Sequence, residues 1–177
     1  AADSLRPWVL RPIFEREHSG LGAFLTELRP TVALFLRFIG IEYDEDAEAE
    51  DKLNRFVSRV QGILTRYEGT LIQLTIGDKG SYLYASFGAT VAHEDDARRA
   101  TQAALELQRM SAELSFLQPV QIGISSGTMR VGPYGGSTRR TYGALGDDTN
   151  LAARLMSAAV PGEVVVSGRV HKAIAEQ

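Results

Sequence analysis

No cysteine occurs in the 177 residues, which excludes a disulfide framework, cysteine-ligated zinc, an iron–sulfur centre and a thiol nucleophile. The three histidines, His18, His93 and His171, are scattered and offer neither a metal cluster nor a catalytic triad. No apolar run approaches the roughly 18 residues of a membrane span, so no membrane partner is expected. Nor is there an excess of positive charge. The net charge of -3 argues against a general binder of nucleic acid or anionic membranes. No Walker A string is present, and "GPYGGS" fits no dinucleotide fingerprint, so it reads as a flexible hairpin. The chain opens on "AADSLRPW" without methionine, as expected of a segment cut from a longer polypeptide. A cytoplasmic setting agrees with the lack of cysteine.

What is present suits one compact domain: 44% hydrophobic residues can fill a core and 23% charged residues can clothe it. Residues 1–29 read as an arm of two short helices broken near Ser19-Gly20, and Pro30 punctuates the chain. "TVALFLRFIG" (31–40) is an apolar run of strand length, as expected of a strand covered on both faces. Leu53, Phe56, Val57, Val60, Ile63, Leu64 and Tyr67 form an amphipathic stripe over 46–67, with Gly69 suited to the helix end. "TLIQLTI" and "SYLYASFG", joined by "GDKG", predict a hairpin. A helix rich in small residues follows over 93–110, then strands "VQIGISSGTMRVG" and "RRTYGALG", a helix over 147–158, strand "EVVVS" and a last helix. The order β-α-β-β-α-β-β-α-β-α after the arm predicts an α+β sandwich of ferredoxin type, with helices on one face of a mostly antiparallel sheet.

Two features stand above this background. "IGDKG" places the carboxylate of Asp78 at a hairpin tip, where aspartate is also common for conformational reasons. In "GDDTNLAARLMSAAVPGEVVVS", Asn150 and Arg154 stand four apart on one predicted helix, hence side by side one turn apart and able to reach one ligand together.

In order along the chain, "LFLRFIG", "GTLIQLTIGDKGSYLYASFGA", "AHEDDARRATQAALELQ", "VQIGISSGTMRVG" and "YGALGDDTNLAARLMSAAVPGEVVVS" resemble the class III adenylyl/guanylyl cyclase homology domain over almost all of residues 30–177. "FLTELRPTVALFL" and "IGDKGSYLYASFG" are similar, more narrowly, to the second cyclase domain of soluble, bicarbonate-responsive-type adenylyl cyclases. The resemblance implies two cyclase domains paired head to tail with the active site in the cleft between them. There the ribose 3′-hydroxyl of ATP attacks the α-phosphate and pyrophosphate leaves. Two carboxylates of one domain hold two Mg²⁺ or Mn²⁺ ions. The other domain supplies an asparagine that orients the ribose and an arginine that meets charge on the transferring phosphate. By motif position those two are Asn150 and Arg154, and Asp78 is the second metal carboxylate.

Three positions depart from the family pattern. Arg37 replaces the first metal carboxylate, and a cation a few ångströms from Mg²⁺ is repelled by roughly 1–4 kcal/mol per unit charge product. Gln73 and Leu74 occupy the neighbourhood of a substrate-binding lysine, and Gly143 replaces the purine-selecting residue seven positions before Asn150. The expectation is therefore the catalytically incomplete, second-type half of a cyclase. It would make cyclic AMP only beside a metal-bearing cyclase domain, as a heterodimer in the full-length protein. Alone it would form an inactive homodimer that binds no metal firmly. The alternative is a non-enzymatic pseudocyclase, a dimerisation or nucleotide-sensing module. A ferredoxin-like RNA-binding domain is disfavoured by the acidic balance and the absence of ribonucleoprotein signatures.

Overall fold

The computed structural model describes residues 3–18, 26–77, 80–136 and 138–176. A 3₁₀ turn (Asp3–Trp8) and α1 (Arg11–His18) form the start of the arm. Then follow β1 (Glu27–Phe38), α2 (Ala49–Arg66), β2 (Thr70–Thr75), β3 (Ser81–Phe87), α3 (Asp96–Ala112), β4 (Gln121–Gly135), β5 (Arg140–Leu145), α4 (Asp147–Ala158), β6 (Val164–Val166) and α5 (Gly168–Ala175). The expected order of elements holds throughout. The sheet runs β2-β3-β1-β4-β5, with every pair antiparallel except β6, which lies parallel to β4.

β1 sits at the centre because it is apolar on both sides. Leu34, Leu36 and Phe38 point one way, into a core with Phe56 and Val60 of α2, Ala100, Ala104 and Leu107 of α3, and Val170 of α5. The Phe38 and Phe56 rings meet at 4.6 Å between centroids, tilted by 51°. The small residues of α3 let that helix lie close to the strands. Ala33 and Phe35 point the other way, into a second core with Tyr84, Met129, Val131, Ala144 and, from α4, Ala152 and Met156. The helices therefore do not share one face: α2, α3 and α5 cover one side of the sheet and α4 the other. The two-sided burial of β1 requires this, because a strand's alternate side chains need separate cover.

Two strands run longer than expected. β1 starts at Glu27, so residues 27–29 are strand and not helix; they pair with Val131, Arg130 and Met129 at the extended end of β4. Pro30 is tolerated inside β1 because β3 pairs with β1 only from Val32 onward, which makes Pro30 an edge position. The part of the second expected arm helix over 19–25 lies outside the described residues. β4 likewise continues through Pro133-Tyr134-Gly135, so most of the string read as a flexible hairpin is ladder paired with β5.

At the end of α2 the left-handed residue is Glu68 (φ 59°), not Gly69. Gly69 follows it and donates its N–H to Leu64 O at 2.8 Å, and a Cβ there would lie 2.6 Å from Cε1 and Cζ of the buried Phe87 ring. Gly69→Ala is expected to destabilise the domain by about 1–3 kcal/mol, read as a lower urea midpoint at unchanged slope.

Candidate functional site

α4 carries the central pair. Its inner stripe, Ala152 and Met156, is buried against the sheet, while Asn150 and Arg154 are exposed on its outer side, one turn apart. The helix lies close enough to β4 for its backbone to rest on Gly123, where a Cβ would fall 2.2 Å from both Ala152 O and Met156 N.

The first turn of α4 is clamped from three directions. Ser125 Oγ donates to Asp148 Oδ1 at 2.8 Å, and Arg169 Nη1 of α5 donates to Asp148 Oδ2 at 2.9 Å. Gly127 leaves the space for that carboxylate, since a Cβ there would lie 1.8 Å from Asp148 Oδ2. Thr149 Oγ1 donates to Ala144 O of β5 at 3.2 Å. Asp148, Ser125 and Arg169 thus fix the helix that presents Asn150 and Arg154. Sequence reasoning missed them; the only local trace is the acidic pair Asp147-Asp148 in the first helical turn, where negative charge favours the helix dipole.

The β4–β5 hairpin folds back across the second face of the sheet. Tyr84 Oη of β3 donates to Ala144 O at 2.9 Å, and Tyr142 Oη donates to Ala89 O at 2.7 Å. Burial pushes the Tyr84 phenol above its ordinary range, so it stays protonated and remains a donor. The curl brings β5 to β2: the Cβ position of Gly143 is 3.9 Å from Ile72 Cγ2. It is also 3.1 Å from Cε1 of Tyr134, whose ring lies over the glycine.

A register shift between Leu71 and Gln73 sets the directions of the β2 side chains. Gln73 is exposed, and its amide donates to Thr75 Oγ1 at 3.0 Å. Leu74 packs against the helix-covered core, on the other face. The fold therefore brings Ile72 to Gly143 and ties the strand of Gly143 to α4 through Thr149 and Ala144, while Leu74 lies on the other face of the sheet.

Arg37 lies elsewhere, at the far end of β1, paired with Tyr82 and Gln121. Its guanidinium lies against the β2–β3 turn: a Cβ on Gly80 would be 2.9 Å from Nε and 3.3 Å from Nη2. Asp78 lies outside the described residues. Among the described residues no three carboxylate or imidazole groups converge to hold a metal ion. A guanidinium over the turn does not fit a two-metal centre, because it brings positive charge where the ions need anionic oxygen. Likewise, among the described residues no helix is long and apolar enough to cross a membrane.

The sequence profile described as "Adenylate and Guanylate cyclase catalytic domain" matches residues 37–177. The chain is 26% identical over 155 residues to "Adenylate cyclase type 10" of Homo sapiens, covering 86% of this chain and 10% of that protein. It is 29% identical over 142 residues to "Adenylate cyclase, aggregation specific" of Dictyostelium discoideum, covering 78% of this chain and 10% of that protein. The chain thus spans 10% of the length of either relative. The crystal structure of the adenylyl cyclase CyaB from P. aeruginosa superposes with a TM-score of 0.77 at 25% identity, covering 86% of this chain and 83% of that one. That of the guanylyl cyclase Cya2 gives 0.75 at 26%, covering 84% and 79%.

Proposed function

Because this chain belongs to the adenylate and guanylate cyclase catalytic domain family, we propose that it is the second-type, catalytically incomplete half of a class III nucleotidyl cyclase. Paired with a metal-bearing cyclase domain, it converts ATP to cyclic AMP and pyrophosphate in intracellular signalling in the cytoplasm. The observation that supports this reading is the division of its site. Asn150 and Arg154 stand open on a clamped helix, while the guanidinium of Arg37 occupies the strand position where the family carries its first metal carboxylate. Asn150 orients the ribose, and the planar fork of Arg154 meets charge developing on the transferring phosphate. Mg²⁺ or Mn²⁺ comes with the partner's carboxylates. In isolation the chain pairs with itself, each composite site joining Arg37 and Asp78 of one copy to Asn150 and Arg154 of the other, and turnover is absent. Residues 1–29 act as the arm leading into the cyclase domain of residues 30–177, with residues 27–29 already part of its first strand.

A second reading, a nucleotide-sensing or dimerisation module without turnover, is favoured by Arg37, Leu74 and Gly143, which stand where the resemblance puts a metal carboxylate, a substrate-binding lysine and the purine-selecting residue. One assay separates the two: cyclic AMP and cyclic GMP formation by the chain alone and joined to a metal-bearing cyclase domain, with Mg²⁺ and with Mn²⁺. Activity only in the joined form is expected. Turnover by the chain alone would overturn its incompleteness, and silence in both forms would select the second reading.

A further inference from the structure

Gly143 has no side chain to read a base, yet the space above it is not empty. The Tyr134 ring fills it, with Cε1 at 3.1 Å and Oη at 3.6 Å from where a Cβ would stand. The two residues lie on the same face of the β4–β5 ladder, since Gly132 pairs with Gly143 and Tyr134 with Thr141. They are coupled by size: a threonine or aspartate at 143 would press its Cβ on the ring, so the missing side chain is what lets the ring lie there. Tyr134 is nevertheless 45% exposed. Ile72 borders the same spot at 3.9 Å, and Gln73, the next residue of β2, is exposed with its amide donating to Thr75 Oγ1. The strand is tied to the α4 pair, because Ala144, next to Gly143, accepts from Thr149, next to Asn150.

An aromatic face, an aliphatic border and one polar edge that can both donate and accept form a place for a flat heterocycle. We propose that Tyr134 is the base-binding residue of this chain: its ring stacks on the purine of the nucleotide that Asn150 and Arg154 hold, and takes adenine and guanine with little discrimination. The inference rests on the nucleotide-site reading above. Weak discrimination follows from the chemistry. A ring face reads a π surface that every base has. The Gln73 amide and the tyrosine hydroxyl each donate and accept, so the 6-amino group of adenine and the 6-oxo group of guanine both find a partner.

The test is calorimetric titration of the chain, joined to a metal-bearing cyclase domain, with α,β-methylene analogues of ATP and GTP. The unaltered chain is expected to bind the two within about threefold of each other, as sequence-tolerant stacking requires. Tyr134→Leu, which keeps apolar cover over Gly143, should weaken both by about tenfold to a hundredfold, whereas Tyr134→Phe should retain most of the affinity. A role in packing alone would be served equally by leucine and phenylalanine, with little change in binding. If Tyr134→Leu binds both analogues as tightly as the unaltered chain does, the nucleotide is there but Tyr134 does not hold its base, and this inference falls alone. If no form binds either analogue, the nucleotide-site reading falls and takes this inference with it.

Discussion

Arg154→Ala, made in the chain joined to a metal-bearing cyclase domain, is expected to lower kcat for cyclic AMP formation by about a hundredfold to a thousandfold, with KM little changed. The size follows from position. Arg154 is exposed on the outer side of α4 and forms no ion pair with any described residue, so its guanidinium is not engaged in holding the fold. Its removal leaves the buried stripe of Ala152 and Met156 intact, and an exposed substitution of this kind changes stability by no more than about 0.5 kcal/mol. A large loss of rate at constant stability therefore isolates a transition-state role. Arg154→Lys should recover part of the rate, since the charge remains but the bidentate fork does not. Asn150→Ala should also reduce kcat if Asn150 orients the ribose as proposed. If both alanine variants turn over like the unaltered pair, α4 takes no part in the chemistry and the reading as a complementary half is wrong.

How much of this could be read from the sequence depends on range. The placement of Asn150 and Arg154 side by side was legible because a helix fixes the relation between residues four apart, whatever the helix rests on. The helix over 147–158 itself coincides with the observed α4. Which face of the sheet it covers was not legible, because a stripe of Ala152 and Met156 states only that something apolar lies beneath. The decision came from β1, whose odd and even side chains enter separate cores. Long-range pairs were least visible. Nothing near Asp148 in sequence announces Ser125 or Arg169, and Tyr134 meets Gly143 only because β4 runs on through a string read as flexible. Residues 27–29 escaped for the same reason: the extended tail of β4 recruits them into the sheet against their local pattern. Glycines were visible as letters but not as reasons. Gly69 was expected at the helix end, where its N–H closes on Leu64 O, but its room for Phe87 was not visible.

Gly123 yields the sharpest structural test, since the same chemical change elsewhere in the chain should act with opposite sign. In Gly123→Ala the new methyl group would stand 2.2 Å from Ala152 O and 2.2 Å from Met156 N. Both are backbone atoms of α4, so no rotamer change can relieve the overlap and the helix must lift from the sheet. A loss of about 3 kcal/mol or more is expected, at the upper end of overpacking effects. Gly62, inside α2, has nothing within 4 Å of its Cβ position. There alanine should stabilise the domain by about 0.5–1 kcal/mol, because a helix interior gains from the smaller backbone entropy of the unfolded chain. Urea unfolding of the two variants beside the parent measures both signs in one experiment. The consequence reaches function, since the lifted helix carries Asn150 and Arg154. A displacement of about 1 Å in positioning groups can reduce rate by about a hundredfold, so Gly123→Ala should impair the joined enzyme even at temperatures where it remains folded. Normal activity in a folded Gly123→Ala variant would mean that the placement of α4 on β4 does not set the geometry of the site.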